Sequence, residues 1–520
     1  MSLIRSAATV GGFTMASRVL GFVRDVLMAS VLGSGPVADA FVVAFRFPNL
    51  FRRLFGEGAF NAAFVPLFAR RLEGEGEIAA RRFAEEVYGV LFVVLLGVVA
   101  VAEIAMPLLI YGLAPGFVAD PEKFDLTVLL TRIAFPYLLF MSLVALLGGV
   151  LNSLQRFAMA AAAPVLLNLV LIGALVAARF MGWGNEPATG LALAWGVALA
   201  GALQFGLLWV ACARSGMRIK LSRPAITPGV RRLVTLGIPG LIAGGIMQLN
   251  LVISTVVASL QASAPSWLYY ADRVYQLPLG VVGVAIGIVL LPELSRRLRA
   301  GDAAGVQSSQ NRALEFALFL TIPASVALMV IPQPIIQVLF ERGAFEPSDT
   351  RATALALAAF AAGLPAFVLQ KVFQPGFFAR EDTRTPMKFA LYSVGLNIAG
   401  ALALFPFLGH VGIALATTVA SWLNAVLLAV ALSGRGHFQA DPTLRRNLPR
   451  IVLSSLAMGA LLWALARWWD GTFSAETDLS ARIAILLILV AAGSAIYFAL
   501  AWAAGTFRPG AIRRALRRTG

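Results

Sequence analysis

Several arginines lie inside long apolar stretches of this sequence, where a charge requires a partner or a ligand. The residues concerned are Arg18, Arg24, Arg46, Arg52, Arg53 and Arg273. An arginine at the centre of a membrane-spanning helix costs about 2.5–3.5 kcal/mol, so four such side chains facing lipid would cost roughly 10–14 kcal/mol. We therefore expect these groups to face a hydrated chamber, an acidic partner or an anionic ligand.

The first apolar stretch is polar along two adjoining faces. Arg18 and Asp25 are seven residues apart and share a helix face, as do Ser17 and Arg24. For a helix that begins near residue 7, the two arginines lie about 16 Å and 25 Å along its axis. Both positions are too deep for the surface at which this helix begins, so we expect both arginines to be functional.

The second stretch repeats charges at the same interval. Asp39, Arg46 and Arg53 are spaced by seven, and Glu57 lies four residues beyond Arg53, within ion-pair reach. Pro48 removes a backbone donor and should kink the helix, which at membrane depth is tolerated beside protein or water. One interpretation is that these groups only neutralise one another inside a helix bundle, with the acids as supporting charge partners.

The excess of charge indicates the ligand. The first two stretches hold five arginines and three acids, and a cavity with a net positive charge suits an anion. A guanidinium group binds phosphate through two parallel hydrogen bonds and stays charged at any relevant pH. A diphosphate is a natural match, although a carboxylate would also fit.

Metal and cofactor chemistry are not expected. The sequence has two histidines and one cysteine, too few for a zinc cluster or a histidine relay. It also has no Walker-type phosphate loop and no HExxH motif. We predict no metal, no cofactor and no enzymatic activity.

The composition points to a membrane protein. Of the 520 residues, 59% are hydrophobic and 13% are charged, and the mean hydropathy is +0.83. Soluble chains are about 45–50% apolar and about 25% charged. The apolar runs lack strand-like alternation, which predicts an all-α polytopic membrane protein with about 14 transmembrane helices. These helices are expected near residues 7–32, 36–67, 84–112, 126–152, 160–181, 188–212, 230–260, 267–294, 312–340, 351–379, 386–407, 409–433, 451–469 and 481–505.

The basic residues indicate the orientation. Alternate connecting segments carry 28 of the 42 lysines and arginines, whereas the segments on the opposite side carry six. The positive-inside rule places the basic side and both termini in the cytoplasm. The net charge of +16 is therefore interpreted as a topology signal, and no nucleic-acid partner is expected.

A weak internal repeat predicts the domain organisation. Helix two and helix eight share an early Asp, a mid-helix proline and a Pro-x-x-x-Arg-Arg ending, and helices four and ten share Pro136 and Pro365. Six-helix units in the same orientation predict two pseudo-symmetric lobes around a central cleft. We expect lobes at residues 1–216 and 217–437, followed by two extra helices and a basic cytoplasmic tail at 438–520.

These motifs resemble the MviN/MurJ family of lipid II flippases. The resemblance rests on Met15-Ala-Ser17-Arg18-Val-Leu-Gly21-Phe-Val-Arg24-Asp25, on Phe47-Pro48-Asn49-Leu-Phe-Arg52-Arg53, on Tyr269-Tyr270-Ala-Asp272-Arg273, and on Phe377-Phe-Ala-Arg380-Glu-Asp382-Thr-Arg384-Thr-Pro386. It runs from the N-terminus to about residue 440. It implies the fourteen-helix fold of the MATE-like exporter superfamily.

The resemblance also implies a function. A protein of this family moves the undecaprenyl-diphosphate-linked peptidoglycan precursor from the inner to the outer leaflet of the cytoplasmic membrane. The implied substrate-binding residues are Arg18, Arg24, Arg52 and Arg273, with Arg53, Asn49 and Ser17 beside them and Asp25, Asp39, Glu57 and Asp272 as charge partners. Expected partners are lipid II and membrane lipids, with the cell-wall synthesis machinery as a further candidate and a monomeric transport unit.

One feature departs from the family. Some members are thought to place a sodium ion with an acid on helix seven, whereas this helix carries Gln248, Asn250, Ser254 and Thr255 and no acid. We therefore predict no sodium site on this helix. The membrane potential remains available as a drive, at about 2.3 kcal/mol per charge per 100 mV.

Three alternatives remain open from the sequence. An exporter of another polyprenyl-diphosphate-linked oligosaccharide, or of drugs, would share the fold, although a carrier of organic cations requires acids in its cleft. An enzyme acting on polyprenyl substrates lacks any supporting motif. A passive assembly scaffold would tolerate loss of the deep arginines, which a flippase would not.

Overall fold

The computed structural model describes residues 3–56, 59–469 and 477–506, and within them it leaves out the side chains of 3–8, 51–56, 59, 239–244, 246–247, 281, 284–285 and 287–288. The described residues form eighteen α-helices, one short 3-10 helix at Pro115–Ala119 and no strand. The all-helical fold class is confirmed.

The chain divides into two compact units. The first comprises Met1–Ser266 with Arg342–Glu346, and the second comprises Trp267–Glu341 with Pro347–Gly520. This division assigns residues 217–266 to the first unit, whereas the sequence-based lobes begin the second at 217. The lobe boundaries therefore stay a prediction.

The helices follow one another through short connections. Those up to residue 259 are α1 (Leu3–Leu32), α2 (Pro36–Gly56), α3 (Ala59–Gly74), α4 (Gly76–Leu113), α5 (Pro121–Ala134), α6 (Tyr137–Ser153), α7 (Phe157–Phe180), α8 (Pro187–Arg214) and α9 (Pro228–Ser259). The remainder are α10 (Ala264–Arg299), α11 (Ala303–Val330), α12 (Pro332–Phe340), α13 (Pro347–Ala361), α14 (Leu364–Phe378), α15 (Arg384–Leu408), α16 (His410–Gly434), α17 (Pro442–Trp468) and α18 (Leu479–Ala503).

Ten helical segments in the described part of the chain are long and apolar enough to cross a membrane. Two of them, Pro121–Ser153 and Pro347–Phe378, are each made of two helices. Helices α1, α2 and α10, which carry the deep arginines, are not among the ten. The number of fourteen transmembrane helices therefore stays a prediction.

Two segments predicted as continuous helices are interrupted. Helix α5 ends at Ala134 and α6 begins at Tyr137, directly after Pro136. Helix α13 ends at Ala361, and Pro365 lies in the first turn of α14. Proline has no backbone N–H and clashes with the preceding turn, which explains both breaks. The breaks fall at corresponding positions of the proposed repeat.

The first unit has an aromatic core between α3, α4 and α6. Phe64 stacks on Phe68 and on Phe83, and these rings pack with Leu147. Cys212 on α8 belongs to the same cluster, is 1% exposed, and donates through Sγ to the carbonyl oxygen of Leu147 at 3.6 Å. This core fixes α3, α6 and α8, and the arginine-bearing α2 packs against all three.

In the second unit, the last two helices pack on α11. Met458 on α17 and Leu489 on α18 form one buried cluster with Val326. Tyr497 on α18 donates its hydroxyl to the carbonyl oxygen of Phe319 at 2.6 Å. The two additional helices are therefore an integral part of this unit.

Candidate functional site

Arg24 is buried in the C-terminal third of α1, where Asp25 and Asn168 hold its guanidinium group. Its Nε and Nη2 donate to Oδ1 of Asp25 at 3.0 and 2.7 Å, and its Nη1 donates to Oδ1 of Asn168 at 2.9 Å. Arg24 is 7% exposed and Asp25 is 1% exposed. Asp25 is therefore a charge partner of Arg24, which offsets much of the cost of burying the guanidinium group.

Asn168 on α7 connects this ion pair to the residue predicted to share its face. The Nδ2 of Asn168 donates to the backbone oxygen of Ser17 at 2.9 Å and to its hydroxyl at 3.3 Å. One amide side chain therefore holds Arg24 on its oxygen side and Ser17 on its nitrogen side. The structure brings Ser17, Arg24 and Asp25 together around Asn168.

Arg18 lies on the same helix in a different environment. Its side chain is exposed, and no described residue forms an ion pair or a hydrogen bond with it. Arg18 and Arg24 are six residues apart and therefore project from different faces of α1. Arg24 is therefore held inside the unit, whereas Arg18 is accessible.

Asp39 has a different role from the one expected. The sequence pattern pairs it with Arg46 and Arg53, but its carboxylate binds Nζ of Lys123 at 2.7 Å, with both side chains buried. It also accepts the backbone N–H of Ser263 at 2.9 Å, and the N–H and hydroxyl of Ser266 at 3.1 and 2.6 Å. These donors lie at the N-terminus of α10, where backbone N–H groups and the helix dipole favour an anion.

The other candidates on α2 are placed only in part. Arg46 is half-buried and donates from Nη1 to the hydroxyl of Thr255 on α9 at 2.9 Å. Asn49 donates from its amide to the carbonyl oxygen of Phe45 at 3.0 Å. The side chains of Arg52 and Arg53, and residue Glu57, lie outside the described residues.

Arg273 lies on α10 in the second unit. Its guanidinium carbon lies 4.7 Å from the ring centroid of Tyr269, one turn earlier on the helix. This cation–π contact orients the guanidinium group of Arg273. The neighbouring Asp272 accepts a hydrogen bond from the amide of Gln276.

The position of Asp39 changes the charge balance of the first two helices. Because Lys123 and the start of α10 use this carboxylate, it does not neutralise the arginines of α2. Among the described residues of these helices, Asp25 pairs with Arg24 and Asp39 pairs with Lys123. The expectation of an anionic ligand therefore still rests on the excess of arginines in the sequence.

Sequence reasoning missed two residues of this arrangement. Lys123 lies in the first turn of α5 and is 8% exposed, although the acids Asp120, Glu122 and Asp125 surround it in the sequence. It is one of only four lysines in the chain, which is a signal that draws attention to it. The contact of Asn168 with Arg24 spans 144 residues and has no local signal.

Within the described ranges, no group of three His, Cys, Asp or Glu residues is placed to hold a metal ion. On α9, Thr255 donates its hydroxyl to the backbone oxygen of Leu251 at 2.7 Å and accepts from Arg46. The hydroxyl oxygen that could serve as a ligand is therefore engaged in the packing of α9 against α2.

Comparison with known proteins gives a consistent assignment. The sequence matches the family described as lipid II flippase MurJ over residues 28–480. A probable lipid II flippase MurJ from Rhizobium meliloti is 52% identical over 100% of this chain and 97% of its own length. A lipid II flippase MurJ from Burkholderia cenocepacia is 35% identical over 97% of this chain and 98% of its own length.

Solved structures agree with the sequence relatives. A lipid II flippase MurJ in an inward closed conformation has a TM-score of 0.77 at 25% identity and covers 95% of this chain and 97% of its own. An inward-facing MATE-family multidrug transporter has a TM-score of 0.67 at 14% identity, covering 82% of this chain and 98% of its own. The second likeness shows that the two proteins share a fold.

Proposed function

Because this chain belongs to the MurJ family of lipid II flippases, we propose that it moves lipid II from the inner to the outer leaflet of the cytoplasmic membrane. Family membership places the chain among transporters rather than enzymes. The observation that carries the substrate assignment is the set of arginines on α1, α2 and α10, with Arg24 held in place by Asp25 and Asn168.

The chemistry of the substrate matches these side chains. Lipid II carries a diphosphate, which needs cationic donors wherever it leaves water. Arg18 is exposed and can meet an incoming anion, and Arg273 is oriented by its contact with Tyr269. Guanidinium groups bind phosphate through paired N–H donors and keep their charge when buried. Arg52 and Arg53 are proposed to share this role.

Arg24 contributes in a different way. Its carboxylate partner Asp25 makes it a balanced pair, so it does not attract anions at long range as Arg18 does. A diphosphate reaching Arg24 would replace part of the Asp25 interaction while Asn168 keeps the guanidinium group oriented. We propose that Arg18 captures the diphosphate and that Arg24 receives it.

Transport is proposed to follow alternating access, with the head group passing through a hydrated chamber and the polyprenyl tail staying in lipid. Both termini are proposed to be cytoplasmic, in agreement with the distribution of basic residues. A monomeric transport unit and contact with the cell-wall synthesis machinery complete the proposal.

The test is lipid II movement by reconstituted full-length protein. Arg18→Ala, Arg24→Ala and Arg273→Ala should each lower the flipping rate at least tenfold while the protein still inserts into vesicles. Arg132→Ala is the matched control, because Arg132 is an exposed arginine within an apolar span that donates only to the backbone oxygen of Glu103 at 3.1 Å. It should keep near-normal activity.

Two outcomes would contradict the proposal. A normal rate of lipid II flipping in the Arg18→Ala and Arg24→Ala variants would show that transport does not require these arginines. Transport of other polyprenyl-diphosphate-linked sugars at the same rate, with lipid II failing to compete, would assign a different cargo to the same fold.

A further inference from the structure

The connection between α8 and α9 carries a dense positive charge. We define the basic arm as residues 214–232, which contain Arg214, Arg218, Lys220, Arg223, Arg231 and Arg232 and no acid. All six basic side chains are exposed. Because the arm directly joins two long apolar helices, it lies at the membrane surface if those helices span the bilayer.

The arm is fixed to the body of the first unit along its length. Its backbone is non-helical from Met217 to Thr227, and the side chains of Met217 and Ile219 are buried, at 2% and 3% exposure. Both belong to the aromatic core cluster of α3, α4 and α6. Trp209 on α8 donates its indole N–H to the backbone oxygen of Ile219 at 3.3 Å.

Polar contacts with α4 hold the rest of the arm. The backbone N–H of Lys220 donates to Oε1 of Glu85 at 3.1 Å, and the hydroxyl of Ser222 donates to the Glu85 backbone oxygen at 2.7 Å. The hydroxyl of Thr227 donates to Oε2 of Glu86 at 2.8 Å. These contacts use the backbone and small side chains, so they do not engage the exposed basic groups.

Gly89 on α4 allows the arm to approach closely. A Cβ atom at this position would lie 2.4 Å from the backbone oxygen of Ser222, well inside the contact distance. A larger residue at 89 would therefore push the arm outward. The close approach shows that the arm packs directly against α4 at Gly89.

The outer side of the arm combines charge with exposed aliphatic groups. Leu221 is 57% exposed and Ile226 is 81% exposed, and they alternate with Lys220 and Arg223. A topology signal requires only that basic residues be present on one side of the membrane. It requires neither a fixed backbone nor aliphatic side chains among the charges, and both are expected of a surface that enters the headgroup region.

We propose that the basic arm binds the headgroups of anionic phospholipids in the adjacent leaflet, with Leu221 and Ile226 inserted between them. Clusters of four to eight basic residues next to a membrane-spanning helix bind anionic lipid, and each base strengthens the attraction about fivefold. The arm holds six such bases at fixed positions, which lowers the ordering cost of binding. This proposal concerns lipid at the protein surface and is independent of the transported substrate.

The test measures binding of acyl-labelled phosphatidylglycerol to the full-length protein in non-ionic detergent. The triple change R218Q/K220Q/R223Q should weaken apparent affinity at least tenfold. The matched control K388Q/R445Q/R446Q removes the same charge from exposed residues of the second unit and should change affinity less than twofold. Phosphatidylcholine should bind weakly to all three proteins.

A second variant tests the geometry without changing charge. Gly89→Val displaces the arm and should weaken phosphatidylglycerol binding at least threefold, with thermal unfolding followed to verify that each variant is folded. Unchanged affinity in the arm triple, equal losses in both triples, or stronger displacement of the label by undecaprenyl diphosphate than by phosphatidylglycerol would overturn the proposal.

Discussion

Arg24 donates from Nη1 to Oδ1 of Asn168 at 2.9 Å, joining α1 to α7 across 144 residues of sequence. Asn168 is 6% exposed and also donates from Nδ2 to the backbone oxygen of Ser17 at 2.9 Å, so its amide is held from both ends. The sequence predicts a functional role for Arg24 but not for Asn168. The hydrogen bond shows that Asn168 orients the Arg24 guanidinium group.

Asn168→Leu should slow lipid II flipping about ten- to hundredfold, because a hydrogen bond to a charged group contributes about 1.5–3 kcal/mol. The rate is measured in proteoliposomes at matched protein content. Thr321→Val serves as control, since it removes a buried hydroxyl that donates to the backbone oxygen of Ala317 at 2.8 Å. Equal losses in the two variants would reduce Asn168 to a general packing role.

The buried pair of Asp39 and Lys123 should be strongly coupled. Asp39→Asn or Lys123→Met alone leaves one charge buried without its partner and should destabilise the protein by about 3–5 kcal/mol. The double change removes both charges and should cost less than the sum of the single changes. Thermal unfolding of the four proteins in detergent gives the coupling, and strict additivity would refute the pairing.

Arg482 should anchor the start of α18. Its Nη1 lies 3.3 Å from Oε1 of Glu341, both side chains are 8% exposed, and its Nε donates to the backbone oxygen of Thr477 at 2.9 Å. Arg482→Gln should lower the unfolding midpoint by several degrees, because Glu341 is left as a buried charge. Arg467→Gln, which removes an arginine stacked on Trp463, should have a smaller effect. A reversed order of the two midpoints would count against the anchor.

His437, in the connection between α16 and α17, should make stability depend on pH. Burial, together with the charges of Arg380 and Arg435, lowers the pKa of His437. As the pH falls below about 6.5, the unfolded chain therefore takes up the proton before the folded protein does. The stability present above that pH is lost as the pH falls through the folded-state pKa.

His437→Gln removes this titration. The unfolding midpoint, measured at pH 8, 6.5 and 5.5, should fall less steeply for the variant than for the parent protein. Identical slopes would show that His437 does not contribute.

The fold class could be predicted from the sequence because membrane insertion depends on local composition. A run of about 20 apolar residues determines a spanning helix without reference to distant contacts. The breaks at Pro136 and Pro365 were less accessible, since proline inside a helix produces a kink in some contexts and an end in others. Which of these occurs depends on the neighbouring helices.

The arginines of the candidate site could be predicted, because a charge inside an apolar stretch is also a local property of the sequence. The deep arginines can be identified from the sequence because the cost of a charge in an apolar stretch can be judged at each position by itself. The partners do not follow, because an ion pair between Asp39 and Lys123 joins positions 84 residues apart. Spacing by seven could not show whether Asp39 binds along its own helix or away from it.

The single thiol of this chain has a practical consequence for studying transport. Cys212 is 1% exposed and directed at the carbonyl oxygen of Leu147, so the native protein offers maleimide reagents almost no target. Pairs of cysteines introduced elsewhere would carry spin labels or fluorophores without a competing background. Distances that change during a transport cycle can then be recorded in the otherwise unaltered protein.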